Sequence, residues 1–257
     1  MVDNKLISFD LSNPDSRENA NFAATLASLS YMTQSEIEVG LKNHGYMGTD
    51  VIFIKHHLLS CFILKWGDIT AIAFKGSKTW REWLNNFNVW PQATNSGRIH
   101  AGFLYTIQCI GPTIYRLIYA DIILGKRIVL TGHSRGGAIA LLFVDLLARN
   151  GHYAHSVWNF GSPKVGDGEF AALWKEKVLV KAFVNGPDPV VDFPPNISTN
   201  IAIIKWLMQF RVIFIPVTLV YYSVIILRKY FLGLQAAGWP IRKLLMRHIR
   251  IAFVRKK

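Results

Sequence analysis

IVLTGHSRGGAIALL, residues 128–142, is the stretch from which the fold can be read. The aliphatic run 128–131 predicts a short buried strand, and the Ala- and Leu-rich run 136–150 predicts a helix ended by Gly151. Between them lie Gly132, His133, Ser134, Arg135 and Gly136. A bare G-x-S-x-G pattern arises by chance about 0.1 times in a chain of this length, so the strand before it and the helix after it carry the signal. Glycines at 132 and 136 let the backbone fold tightly around Ser134, whose hydroxyl then projects from the end of a sheet. The N–H groups of the helix beneath it face any negative charge that develops there. An ordinary N-cap serine would account for Ser134 but not for both glycines. His133 belongs to the turn, a nucleophile elbow, rather than to the acid–base machinery.

Outward from this turn, apolar residues recur at helical spacing over 19–45 and 103–120. VIFIKHH (51–57), CFILKW (61–66) and ITAIAFKGS (69–77) predict paired strands, the last two joined by a Gly67-Asp68 turn. VWNFGSP (157–163) and VLVKAFVNG (178–186) predict two more strands, each stopped by Gly and Pro. Strands alternating with helices over about 190 residues imply an α/β, three-layered architecture with a largely parallel sheet.

Charge is distributed unevenly. Of the 29 basic residues, 18 lie in 1–192 beside all 16 acidic ones, while 193–257 holds 11 basic residues and no carboxylate. A nearly neutral body with a basic tail threaded by apolar runs suits an anionic lipid surface, and no nucleic-acid partner is expected because no groove-reading or base-stacking motif accompanies the charge. The start, MVDNKLISFDLSNPDSREN, lacks the basic and apolar regions of a secretory signal, which predicts the cytosolic face of a membrane. Cys61 and Cys109, far apart, are expected as buried thiols. None of the histidines pairs with convincing metal spacing, and no metal or cofactor is expected.

At GHSRGG (132–137) the chain resembles the class 3 lipases, the family of fungal triacylglycerol lipases. AFKGSKTWREWLNN (73–86), IHAGFL (99–104), NFGSPKVGD (159–167) and VNGPDPVVDFPP (184–195) are similar to further ordered motifs of that family, so the resemblance extends from Asn19 to about Pro195. It implies the α/β-hydrolase fold, a mostly parallel sheet flanked by helices, and a lipid ester substrate. It also implies an oxyanion hole from the backbone N–H groups of Ser77 and Arg135, where a plain turn residue is the other reading of Ser77. It marks 77–87 as a lid, on which Trp80, Trp83, Leu84 and Phe87 form one apolar face at helical spacing; a plain core helix would show the same pattern. The family's later lid aspartate is replaced here by Asn85 or Asn86.

In this fold the triad runs Ser, acid, His along the chain. Of the eight histidines, at 44, 56, 57, 100, 133, 152, 155 and 248, only His248 follows a credible acid. Asp188, in a Gly-Pro-Asp-Pro turn after a predicted strand, is the acid whose spacing resembles the family's, with Asp192 second. His248 shares a helical face with Ile241, Leu244, Leu245, Ile249, Ala252 and Phe253, so a core or interfacial histidine is its competing reading.

Two regions are therefore expected: a hydrolase domain over 1–195, and an apolar basic region over 196–257. The second contains a membrane-associating segment, 201–231, and a final helix, 241–254, that completes the domain. The uncharged run 212–227 would be about 24 Å long as a helix, short of a bilayer core of roughly 30 Å. It also lies between Asp188 and His248, so a single crossing would part acid from base. An anchor lying in the interface is the expectation. Read whole, the sequence predicts a serine hydrolase of lipid esters; a lipase-fold scaffold lacking its base and an esterase of soluble esters are the alternatives. Arg135 and the tail tilt the substrate toward anionic lipids. Oligomeric state is not legible.

Overall fold

The computed structural model describes residues 9–46, 49–77 and 91–184. The chain divides between Asn200 and Ile201, and everything described lies in the first of the two units. The helical pattern over 19–45 resolves into two helices, α1 (Arg17–Leu29) and α2 (Gln34–Asn43). The apolar period runs through both, but Thr33 restarts the helix. Its hydroxyl accepts from Glu36 N–H while the Glu36 carboxylate accepts from Thr33 N–H at 2.8 Å, a reciprocal capping box. Ser16 caps α1 in the simpler way, accepting from Asn19 N–H at 3.1 Å.

Eight strands and three further helices follow among the described residues: β1 (Asp50–Lys55), β2 (Ser60–Trp66), β3 (Ile69–Phe74), β4 (Pro91–Thr94), β5 (Gly97–His100), α3 (Ala101–Ile123), β6 (Arg127–His133), α4 (Arg135–Arg149), β7 (Ser156–Phe160), α5 (Gly168–Lys175) and β8 (Leu179–Phe183). The main sheet has the order β1-β2-β3-β6-β7-β8. Its first two pairings are antiparallel, made by tight turns, and β3, β6, β7 and β8 are parallel. Gly67, with φ 52°, supplies the positive-φ position that the two-residue β2–β3 turn requires. The β4–β5 hairpin and α5 were not among the sequence expectations.

Alternation along the strands sends neighbouring residues to opposite layers. Ile63, Ile72, Phe74, Leu130 and Val157 pack against α3 and α4, while Phe62, Leu64, Ala71, Ala73, Val129 and Trp158 pack against α1 and α2. The alanines on β3 let α1 lie close, with Phe22, Ala23 and Leu26 fully buried over them. Each large aliphatic or aromatic side chain withdrawn from water in this way contributes about 1.5–3 kcal/mol before entropy.

Two buried carboxylates pin the outer layer. Asp121 on α3 pairs with Lys65 of β2 at 2.8 Å and with Lys126 at 3.4 Å. Asp145 on α4 pairs with Arg149 at 2.7 Å and accepts from the Ser96 hydroxyl in the β4–β5 turn. Asp167 then links that hairpin to α5, accepting from both Arg98 N–H and Phe170 N–H at 3.1 Å. Among the described residues no helix is long and apolar enough to cross a membrane; the expected membrane segment, 201–231, lies outside them.

The cysteine expectation is half corrected. Cys61 is buried, and burial pushes its thiol up to about 12, whereas Cys109 is exposed on α3. A disulfide dye at pH 8 should therefore titrate one thiol in the native protein and two in denaturant; two fast-reacting native thiols would contradict the packing around β2. Replacing Asp121 with Ala should cost about 3 kcal/mol in urea unfolding, because it leaves the Lys65 ammonium without its counter-charge and with only the Leu117 carbonyl to accept from it.

Candidate active site

β6 sits in the middle of the sheet, with β3 on one side and β7 on the other, and runs directly into α4. At the junction Ser134 has φ 53° and ψ −127° and is the one non-glycine residue with positive φ among those described. Such a conformation costs on the order of 1–3 kcal/mol and persists only where the surroundings over-determine it. Here they do. Ser134 N–H donates to Phe160 O of β7 at 2.8 Å, and Ser134 O accepts from Gly137 N–H at 3.0 Å.

The glycines mark where backbones touch. A Cβ on Gly132 would come within 2.3 Å of the Gly136 carbonyl carbon, and one on Gly136 within 2.1 Å of Phe74 O. Strand end and helix start thus pass one another with no space for a side chain, and the start of α4 is pressed onto the end of β3. The same Gly136 Cβ would lie 3.1 Å from Gly76 N, so the loop carrying Ser77 runs beside the first turn of α4, which begins at Arg135. Both proposed oxyanion donors therefore lie on adjoining segments, at the N-terminus of a 15-residue helix.

The Arg135 side chain faces elsewhere. Its guanidinium donates to Leu58 O in the β1–β2 turn, and burial pulls its pKa down. The expectation that Arg135 favours anionic lipids is therefore corrected: the charge is engaged by the turn, and only its backbone N–H is left for the site. His133 is exposed, with Nδ1 2.8 Å from the Tyr31 hydroxyl. His100 is buried at the N-cap of α3, whereas His56 and His57, expected at the end of the strand VIFIKHH, lie past it in the β1–β2 turn with their rings 4.0 Å apart and tilted by 41°.

Asp188, Asp192, His248 and the lid residues Trp80, Trp83, Leu84 and Phe87 lie outside the described residues. What is described is where the chain leaves the sheet. β8 is parallel to β7, Phe183 pairs with Phe160, and Phe183 O accepts from Gly161 N–H at 2.8 Å. Val184, four positions before Asp188 and the last described residue, therefore leaves the sheet at the same carboxyl edge at which Ser134 emerges. Tyr31 was missed from sequence. It sits in the α1–α2 link, 102 positions from His133, and no local pattern connects the two.

Residues 71–198 match the family model described as Lipase (class 3). Secreted mono- and diacylglycerol lipase 1 of Fusarium solani is 29% identical over 131 residues, a match covering 49% of this chain and 39% of that protein. The chain thus spans well under half of that curated relative. Among solved structures, it is similar to the Rhizomucor miehei lipase in its propeptide complex, with TM-score 0.57 and 22% identity over 68% of this chain and 62% of that one. It is likewise similar to lipase II from Rhizopus niveus, with TM-score 0.58 and 20% identity over 69% and 74% of the two chains. At such identities the likeness is one of fold: a mostly parallel sheet flanked by helices, as the sequence predicts.

Strain and close contact make opposite forecasts for neighbouring positions. Ser134→Gly should raise unfolding stability by about 1 kcal/mol relative to Ser134→Ala, since glycine adopts positive φ freely. Gly136→Ala should lower stability by about 3 kcal/mol, because its methyl meets backbone that cannot give way. Denaturation of the three variants side by side checks both.

Proposed function

We propose that this chain, which belongs to the class 3 lipase family through residues 71–198, is a carboxylic ester hydrolase acting on acylglycerols or phospholipids. The observation that carries the reading is the strained Ser134 at the head of α4, beside the loop that bears Ser77. A serine held at a cost in strain on a helix N-terminus, with a second backbone segment pressed against it, is suited to acyl transfer.

In the proposed reaction Ser134 Oγ attacks the ester carbonyl while His248 takes its proton. Asp188 holds the imidazole's orientation and stabilises the imidazolium. The N–H groups of Ser77 and Arg135 bind the oxyanion. Collapse of the tetrahedral species expels the alcohol, protonated by His248, and water then hydrolyses the acyl-enzyme with the same groups in reverse order. The apolar face of Trp80, Trp83, Leu84 and Phe87 would cover the site in water and turn to lipid at an interface. The basic, apolar segment 201–231 would hold the chain on an anionic membrane, on the cytosolic face, and 241–254 would return His248 to the serine. The name of the Fusarium solani relative supports a mono- or diacylglycerol as substrate.

A fluorophosphonate probe should label the wild-type protein and leave Ser134→Ala unlabelled. Hydrolysis of diacylglycerol in mixed vesicles should fall by about 10³–10⁴-fold in His248→Ala and in Asp188→Asn. Absence of both labelling and turnover in the wild type would favour a lipase-fold scaffold; undiminished turnover in His248→Ala would place the base elsewhere. Turnover of short soluble esters that does not respond to added vesicles would point to a soluble-ester esterase.

A further inference from the structure

Tyr31 stands between the two segments on which the proposed oxyanion hole depends. It follows α1, packed under the sheet, and its ring stands edge-on to His133 with centroids 5.8 Å apart. Its hydroxyl is 2.8 Å from His133 Nδ1, and the same oxygen lies against Gly76, 2.0 Å from where a Cβ there would stand. Gly76 is adjacent to Ser77, and His133 to Ser134 and then Arg135. One phenol oxygen thus bridges the loop carrying one proposed donor to the elbow carrying the other.

Two further contacts tighten the bridge. Lys75 Nζ donates to Tyr31 O at 3.3 Å, so the link residue holds the loop by its backbone as well as by its side chain. A Cβ at position 76 would meet the Tyr31 hydroxyl at 2.0 Å and His133 O at 2.4 Å, so phenol, loop and elbow backbone converge on a point that only glycine admits.

We infer that Tyr31 is a positioning residue of the active site, fixing the separation of the Ser77 and Arg135 amides by bridging Gly76 to His133. The inference rests on the hydrolase reading above for its kinetic consequence, though not for its geometry. An oxyanion hole acts only where its donors lie about 2.7–3.1 Å from the transition-state oxygen, and it is engaged in the transition state rather than in the bound substrate. Loosening the bridge should therefore appear in kcat and not in KM. The phenol touches no substrate in this scheme, so the ring without its hydroxyl keeps the packing and loses only the bridge.

The test is Tyr31→Phe in the full-length protein on mixed vesicles. A fall in kcat of about 10–100-fold is expected, with KM within twofold and the unfolding midpoint little changed. In parallel, ¹⁵N-histidine NMR of Ser134→Ala protein, with and without Tyr31→Phe, reads His133 directly. A His133 ring-nitrogen resonance that shifts when the hydroxyl is removed is expected. A kcat within twofold of wild type, or a His133 resonance indifferent to the substitution, would overturn the inference. Were the wild type itself to show no turnover and no fluorophosphonate labelling, the hydrolase reading would fail, and the NMR comparison alone would decide whether the bridge exists.

Discussion

The described structure depends on one constraint: three backbone segments meeting without side chains between them. The end of β3, the end of β6 and the first turn of α4 come together at Gly76, Gly132 and Gly136, where an added Cβ would fall within 2.1–2.4 Å of a neighbouring backbone atom. Hydrogen bonding across the sheet completes the clamp, since Ser134 N–H is held by β7. Once these contacts are fixed, Ser134 cannot relax out of positive φ without breaking several of them together. This is how about 1–3 kcal/mol of local strain survives in a domain of only modest net stability.

The layers explain why the clamp can be rigid. Small residues on β3, Ala71 and Ala73, draw α1 against one face, and larger ones, Ile72 and Phe74, carry α3 and α4 on the other. Charges are kept to the joints: Asp121 ties α3 to β2, Asp145 ties α4 to the β4–β5 turn, and Arg135 ties the head of α4 to the β1–β2 turn. The side chain next to the serine is thus a strut. Any affinity for anionic lipid has to come from other cations, and the carboxylate-free tail supplies 11 of them.

The elbow was legible because its evidence is local: a strand, two glycines around a serine, and a helix. The sheet strands were legible for the same reason, through alternation and Gly/Pro stops. What failed were features that depend on competition or on distance. The α1–α2 break is written in Thr33 and Glu36, yet the unbroken apolar period hides it, because periodicity records which face is buried and not where capping restarts the helix. The β4–β5 hairpin is short and half-exposed, and its place is set by Ser96 reaching Asp145, 49 residues away. Cys109 looks like a core residue in an apolar helix and falls on the outward face. Tyr31 owes its importance entirely to partners brought near by the fold.

Parallel strands impose a last condition on the proposed chemistry. They bring the ends of β3, β6, β7 and β8 to one edge, so Ser77, Ser134 and the segment leading to Asp188 all start from the same side. A base encoded after residue 201 has to be delivered to that edge from a region that also carries 16 consecutive uncharged residues, 212–227. One bilayer crossing there would put His248 across the membrane from Ser134, whereas a segment lying in the interface leaves both on one side. Membrane attachment and catalysis would therefore be coupled in the proposed reading. Under the proposed reading, the apolar run that would hold the protein to lipid is also the connection to His248, and its topology would decide whether the elbow has a partner.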